Sequence, residues 1–249
     1  MDNFLKENER IDDLQINNLK IIQNKNGFCF GIDSVLLSDF AKGIKDNSKI
    51  IDLCTGTGII SILLTAKTKP ENIIGVELQR NVADMARRSV IMNGIDSKVD
   101  ILNENIKNLD KILPLGRYDA IVTNPPYIKV NTGARNINSA KLISRHEVEC
   151  TLEDIAKISF KLLNNNGEIY MVHRPDRLVD VMEIFRKYKL EVKEIRLVFP
   201  KEDSQANLVL VKAVKNGRPF LKVHKPLYIY NSDGTYTDEI LKIYNKNIV

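Results

Sequence analysis

Two groups of residues in this chain have types and spacings that could do chemistry. The first is Asp52-Leu53-Cys54-Thr55-Gly56-Thr57-Gly58. Glycines at such a turn let the backbone approach a ligand closely and adopt angles closed to other residues. Ser61 stands where a dinucleotide fingerprint carries its third glycine, and no Gly-Lys-Ser/Thr is present, which disfavours a pyrophosphate or triphosphate cradle. Glu77 ends the nearby Gly75-Val76-Glu77, and a carboxylate there can accept hydrogen bonds from both hydroxyls of a ribose. The glycines alone could make only a tight turn, with Glu77 a solvated acid. Glycines and acid together suit a cofactor of adenosine type.

The second group is Asn124-Pro125-Pro126-Tyr127. An exocyclic amine on a nucleobase, or an amide nitrogen, is a poor nucleophile because its lone pair is delocalised into the adjoining π-system. The side-chain oxygen of Asn124 and the carbonyl of Pro125 can accept its two N–H bonds, aim the lone pair and stabilise positive charge growing on nitrogen. The prolines fix the loop, and Tyr127 offers a face for a planar acceptor to stack on. A rigid loop carrying a core tyrosine is the plain alternative for a Pro-Pro pair considered by itself.

These groups need elements to hold them. Residues 49–53 read as a strand, 59–66 as a helix and 72–77 as a second strand, which is a βαβ opening with the glycine turn at its first junction. Residues 79–93 place Val82, Met85, Ala86, Ser89 and Val90 on one helical face, and 99–102 follow as a third strand. Residues 118–123 form a fourth strand that delivers Asn124. Thr151, with Asp154 three residues on, opens a helix whose apolar face is Leu152, Ile155, Ala156 and Leu163. Strand 168–173 and helix 176–188 come next. Strands 191–198 and 208–213 are separated by only 199–207, too few residues for a crossover helix, so they must form an antiparallel hairpin. The fold class expected is α/β: a Rossmann-like, doubly wound, mostly parallel seven-stranded sheet with that hairpin at one edge. Its ligand should lie beyond the carboxyl ends of the strands, where the strand order reverses.

Asp52-x-Cys54-x-Gly56-x-Gly58 followed by Gly75-Val76-Glu77 resembles motifs I and II of class I S-adenosylmethionine-dependent methyltransferases. The resemblance implies S-adenosyl-L-methionine as cofactor. Asp52, Cys54, Thr55, Gly56 and Gly58 would then wrap its methionine and ribose, Glu77 would hold the ribose hydroxyls, and Leu78 would pack on the adenine. Asn105 aligns with the family acid that contacts the adenine amine, but Glu104 precedes it, and which of the two serves is open. With Asn124-Pro125-Pro126-Tyr127 added, the pattern resembles methyltransferases that modify an adenine, guanine or glutamine nitrogen. Asn124, Pro125 and Tyr127 become the catalytic candidates, with Asn124 also beside the cofactor.

Upstream, Gly27-Phe28-Cys29-Phe30-Gly31-Ile32-Asp33-Ser34-Val35-Leu36-Leu37 resembles the corresponding segment of bacterial tRNA1(Val) (adenine(37)-N(6))-methyltransferases. So do 144–147, 172–178, 198–201 and 236–239. By that resemblance Phe30 and Asp33 line the cofactor, although Phe28 and Phe30 could equally be core. The substrate implied is an adenine amine in tRNA, in the anticodon loop of a valine tRNA. A protein glutamine amide, a ribosomal RNA guanine amine, and an RNA-binding module without turnover are the rivals.

The chain has 249 residues, 43% hydrophobic and 28% charged, with a formal charge of +5. That balance folds and excludes a disordered chain or a disulfide-stapled miniprotein. A single domain over 1–249 is expected, with 1–48 an N-terminal extension lining the cofactor site and 128–150 a substrate loop. Lys129, Arg135, Arg145 and His146 in that loop, and Arg218 and Lys222 in a second basic stretch, are candidates for RNA phosphates; solvated loop charge is the alternative. A base would have to swing out of its stack to reach Asn124. Cys29, Cys54 and Cys150 are odd in number and lack CxxC spacing, and the three histidines are dispersed, so no disulfide framework and no metal site is expected. No apolar run approaches the roughly 18 residues that cross a bilayer. A cytoplasmic protein is expected.

Overall fold

The central strands are near-continuous apolar runs, which demand cover on both faces of a sheet, and the computed structural model shows how it is met. It describes residues 4–27, 31–126 and 150–245. The chain opens with β1 (Glu9–Asp13), β2 (Lys20–Asn24) and α1 (Ile32–Phe40). Then come β3 (Lys49–Leu53), α2 (Ile59–Lys67), β4 (Asn72–Glu77), α3 (Arg80–Met92) and β5 (Val99–Asn103). The second half holds α4 (Leu109–Ile112), β6 (Tyr118–Thr123), α5 (Leu152–Leu162), β7 (Leu163–His173) and α6 (Leu178–Lys187). It closes with β8 (Leu190–Phe199), β9 (Leu208–Lys215), the two-residue strands β10 (Lys222–Val223) and β11 (Leu227–Tyr228), and α7 (Asp238–Ile243).

The large sheet runs β10-β8-β9-β7-β6-β3-β4-β5, with β11 also on β8. All pairings from β7 through to β5 are parallel, while β9 is antiparallel to both β7 and β8. The seven long strands are those expected; β10 and β11 extend the sheet beyond β8 in parallel. In β3, Ile50 faces one core and Ile51 and Leu53 face the other; in β7, Tyr170 and Val172 alternate in the same way with Ile169 and Met171. The first core is closed by the N-terminal segment, α1, α2, α3 and α7, the second by α4, α5 and α6. Strand order reverses between β3 and β6, so the carboxyl ends of these two neighbours frame the crevice where such folds bind ligands.

Several boundaries differ from those read in the sequence. Leu163 lies in β7, not on the preceding helix, since the helix ends there in an extended residue. Residues 175–177 form a single 3-10 turn before α6. The hairpin β1–β2 has no strong alternating signature because Asp12, Asp13, Lys20 and Asn24 fill its rims. It is held by specific polar ties: Arg88 of α3 grips both carboxylate oxygens of Glu9 at 2.6 and 2.8 Å, and the Ile22 N–H donates to the Ser89 hydroxyl at 2.9 Å. The Arg88 guanidinium holds Glu9 below the usual carboxylate range. The Thr151–Asp154 capping box expected at the start of α5 is present in both directions.

Candidate active site

At the carboxyl end of β3, Asp52 is fully buried. Its Oδ2 accepts three hydrogen bonds, from the Thr55 hydroxyl at 2.6 Å, the Ser61 hydroxyl at 2.8 Å and the Ser61 N–H at 3.1 Å. Oδ1 has no hydrogen-bond partner among the described residues. Burial pushes the carboxyl up to about 6, against the pull of the three donors, with the charge of Glu77 adding to the rise. Ser61 thus does structural work at the place of the third fingerprint glycine. Gly75 makes room for the cluster: a Cβ there would lie 2.8 Å from Ile101 Cδ1 and 3.0 Å from Thr55 Oγ1.

The loop beyond Asp52 is wound through left-handed residues at Cys54 (φ 60°), Gly56 (φ 59°) and Gly58 (φ 89°). A Cβ on Gly56 would meet nothing within 4 Å, so this stretch of backbone faces open space. Its N–H donates to Glu77 Oε2 at 3.1 Å, and Gln79 N–H donates to Glu77 Oε1 at 2.8 Å. These two bonds orient the Glu77 carboxylate at the loop. Asn103 pins the adjoining backbone, its Nδ2 donating to the carbonyls of Glu77 and Leu78 at 2.9 Å each. Leu78 is left 38% exposed, an apolar surface beside the carboxylate. Asn105 accepts from Lys107 N–H and caps a 3-10 turn, while Glu104 accepts from Asn105 N–H and Asn108 Nδ2, which hold its carboxyl below the usual range.

At the end of β6, both hydrogens of the Asn124 amide nitrogen are engaged, one by Asp33 Oδ2 at 3.0 Å and one by the Ser34 hydroxyl at 3.1 Å. Asp33 is itself oriented by Ser34 N–H on its Oδ1. This fixes which way the amide faces, making Oδ1 its accepting edge. Asp33, expected against the cofactor, is placed by its hydrogen bond on Asn124. Beyond lies a cavity of about 190 Å³ lined by Pro125, Pro126, Cys150, Thr151, Leu152, Ile155, His173 and Arg177. Cys54 Sγ of the glycine loop is 3.5 Å from Cys150 Sγ on the cavity wall, so loop and cavity adjoin. That contact and burial push the Cys54 thiol well above its usual range. A larger cavity of about 380 Å³ is lined by Lys49, Asn72 and Tyr118, the first residues of β3, β4 and β6, at the edge of the sheet away from these groups.

Asn124, Pro125, Asp33, Asp52, Cys54, Thr55, Gly56, Gly58, Glu77 and Leu78 therefore gather at one edge of the sheet. Arg218 and Lys222 do not join them. Lys222 pairs with Glu194 on the outer strand, four strand spacings or about 19 Å from β6. Phe30, Tyr127, Lys129, Arg135, Arg145 and His146 lie outside the described residues. Sequence reasoning missed Ser34, Ser61, Asn103, Cys150 and His173 as parts of the site. Among the described residues no group of three metal-ligating side chains occurs and no helix is long and apolar enough to cross a membrane.

The orphaned Asp52 oxygen and the open face of Gly56 fit a ligand with a cationic or N–H donor end. Glu77 and Leu78 suit a hydroxylated sugar and a flat base respectively. The family model described as methyltransferase small domain matches residues 18–193. A tRNA1(Val) (adenine(37)-N6)-methyltransferase of Aeromonas hydrophila is 26% identical over 215 residues, covering 86% of this chain and 87% of the relative. One of the same name from Trichodesmium erythraeum is 26% identical over 231 residues, 90% and 92% of the two chains. Among solved structures, a predicted O-methyltransferase from Agrobacterium tumefaciens superposes with a TM-score of 0.68 at 20% identity, over 86% of this chain and 95% of the other. M. jannaschii TYW2 in complex with AdoMet superposes with a TM-score of 0.60 at 14% identity, over 84% and 87%.

Proposed function

The chain belongs to the methyltransferase small domain family, and from that premise we propose that it transfers the methyl group of S-adenosyl-L-methionine to the exocyclic amine of an adenine in tRNA. The observation that carries this reading is the Asn124 amide, turned by Asp33 and Ser34 so that its oxygen is the accepting edge, with Pro125 beside it on a cavity that adjoins the glycine loop. The names of the tRNA1(Val) relatives support the base and the class of RNA.

When bound, the cofactor supplies an electrophilic methyl on a sulfonium centre. Asp52 Oδ1 would meet the cationic amino end of its methionine, Glu77 the ribose hydroxyls, and Leu78 the adenine face. On the acceptor side, Asn124 Oδ1 and the Pro125 carbonyl take the two N–H bonds of the amine. They draw the nitrogen toward a tetrahedral, more nucleophilic geometry and stabilise the charge it gains as its bond to carbon forms. The bound cofactor would give up its methyl and leave as a neutral thioether, and the methylated nitrogen would release its extra proton to water. Tyr127 stacks on the base, and the basic residues of 128–150, with Arg218 and Lys222 farther out, contact phosphates.

The test is transfer of labelled methyl to total bacterial tRNA, ribosomal RNA and release factor, followed by nucleoside and amino-acid mass analysis. N6-methyladenosine in tRNA is expected. Label in guanine or in glutamine would replace the reading with one of its rivals, and RNA binding without label would leave a non-catalytic module. Asn124→Ala is expected to bind cofactor as the wild type does and to lose about 10²- to 10³-fold in kcat.

A further inference from the structure

We propose that Cys54 and Cys150 form a reversible oxidation site: a peroxide joins them in a disulfide that staples the glycine loop to the wall of the acceptor cavity and slows turnover. The bond stands on the geometry of the two thiols alone; only its effect on turnover rests on the methyl-transfer reading.

The two sulfurs are 3.5 Å apart although 96 positions separate the residues, and both are free, half-buried thiols. Each is held where it is. Cys54 (φ 60°) adjoins Thr55, whose N–H donates to the Val76 carbonyl at 2.9 Å and whose hydroxyl donates to Asp52 at 2.6 Å. Cys150 directly precedes Thr151, the cap of α5, and both cysteines pack against the core closed by α4, α5 and α6. A pair that served packing alone could sit anywhere in that core. This pair instead joins the two parts of the crevice: Cys54 stands in the loop between Asp52 and Gly56, and Cys150 lines the cavity with Pro125 and Pro126. A cavity of about 190 Å³ admits a peroxide, a molecule little larger than water. The contact with Cys150 and burial keep Cys54 in its thiol form, so Cys150 is the sulfur that attacks. Cys150 gives up its proton and bonds to one peroxide oxygen; the O–O bond breaks, and the departing hydroxide takes that proton to become water. The Cys54 sulfur then displaces the hydroxyl of the Cys150 sulfenic acid, which leaves with the Cys54 proton as a second water. The two thiols have lost two electrons and two protons, and the peroxide has been reduced. A partner already in contact makes the second step intramolecular, so closure outruns further oxidation of Cys150. Disulfide sulfurs lie about 2.05 Å apart, so closure draws loop and wall together by about 1.5 Å. A misplacement of about 1 Å at a reacting centre is enough to cost about 10²-fold in rate.

The experiment treats the reduced full chain with hydrogen peroxide, then measures intact mass, maps its peptides and assays methyl transfer to total bacterial tRNA. The expected result is a loss of two hydrogens per chain, a linked peptide pair containing Cys54 and Cys150, and a fall of about 10²-fold in kcat, all reversed by dithiothreitol. Cys54→Ala and Cys150→Ala are each compared with themselves before and after peroxide, and each should keep its own rate; if one fails to fold, the other serves. The inference is overturned if both thiols survive the treatment, if they are carried to sulfinic acids without joining, or if the bond that forms runs through Cys29. It is equally overturned if the bonded protein methylates as fast as the reduced one. Absence of any methyl transfer by the reduced wild type would instead overturn the functional reading, and the peptide map would still uphold or overturn the oxidation site.

Discussion

Replacing Asp52 by Asn separates a loop staple from a cofactor ligand, because the two roles move stability and binding in opposite directions. The staple function resides in Oδ2, with its three donors at 2.6, 2.8 and 3.1 Å. An asparagine can put its amide oxygen in that place and keep all three bonds. What it loses is the charge and the accepting capacity of Oδ1, the oxygen without a partner. A carboxyl raised from 3.8 to about 6 by burial destabilises the fold at pH 7 by about 3 kcal/mol relative to a group that stays at its ordinary value. The folded-state value lies above the unfolded one, so stability from this group is full below pH 4 and lost as the pH rises to about 6. Asp52→Asn removes that loss and leaves the amide NH2 group, with its two N–H donors, unsatisfied, a cost of about 1–3 kcal/mol. The ligand-free variant should therefore melt within a few degrees of wild type or above it at pH 7, since 1 kcal/mol is worth about 2–4 °C at this size. Cofactor binding should weaken instead, by the value of one charged hydrogen bond, about 1.5–3 kcal/mol or roughly 10- to 150-fold. Calorimetry with S-adenosylhomocysteine, which has the same amino-acid end, should show wild-type affinity falling as the pH drops below about 6 and a flat profile in the variant. Wild-type affinity in Asp52→Asn, or a melting temperature lowered by many degrees, would refute the assignment of Oδ1 to the cofactor.

The Glu9–Arg88 pair ties the N-terminal hairpin to α3, and Glu9→Gln should destabilise by about 3 kcal/mol in chemical denaturation, the low end for a broken buried pair because Arg88 keeps Asp84. Since Arg88 holds Glu9 below its ordinary value, this contribution is present at neutral pH and is lost as the pH falls below the unfolded carboxylate range and through the lowered folded value; Glu9→Gln should flatten that limb of the stability curve. Asp33→Asn should lower kcat at saturating cofactor by about tenfold while cofactor affinity stays within about twofold; a weakened affinity with unchanged kcat would return Asp33 to the cofactor side.

The fold was legible wherever one element announced its own period. β3, β4 and β6 are short apolar runs that stop at Cys54, Leu78 and Asn124, and α5 is announced by its cap, so the three strand ends that carry candidate chemistry could be placed from the sequence. The hairpin β1–β2 was not legible because its stability comes from contacts made across the fold, to Arg88, Ser89 and Asn93, and not from its own pattern. The site divides in the same way. Asp52, Glu77 and Asn124 stand at strand ends and could be picked out one by one. Ser61 was legible only as a missing glycine, yet its two donors complete the Asp52 cluster. Cys150 meets Cys54 across 96 positions and His173 meets Pro125 through parallel strands, relations that no local spacing encodes. Asp33 was picked out as a candidate acid, and its hydrogen bond to the Asn124 amide across 91 positions is likewise a relation that only the fold supplies.

On the proposed reading, the two halves of the crevice meet different charges. On that reading the cofactor arrives positive, and Asp52 and Glu77 would be the carboxylates it meets. The acceptor arrives neutral and becomes positive only as the bond to carbon forms. A carboxylate in direct contact with a neutral amine would gain little before that moment, and would compete for the cationic cofactor. Here the carboxylate of Asp33 stands one residue behind, hydrogen-bonded to the amide nitrogen of Asn124 at 3.0 Å. Hydrogen bonds in series polarise one another, so Asp33 deepens the negative charge on Asn124 Oδ1 without exposing a full charge to the slot. In the proposed reaction that stabilisation would grow with the charge on the nitrogen, which would make it stronger in the transition state than in the ground state, the only kind of interaction that accelerates the step.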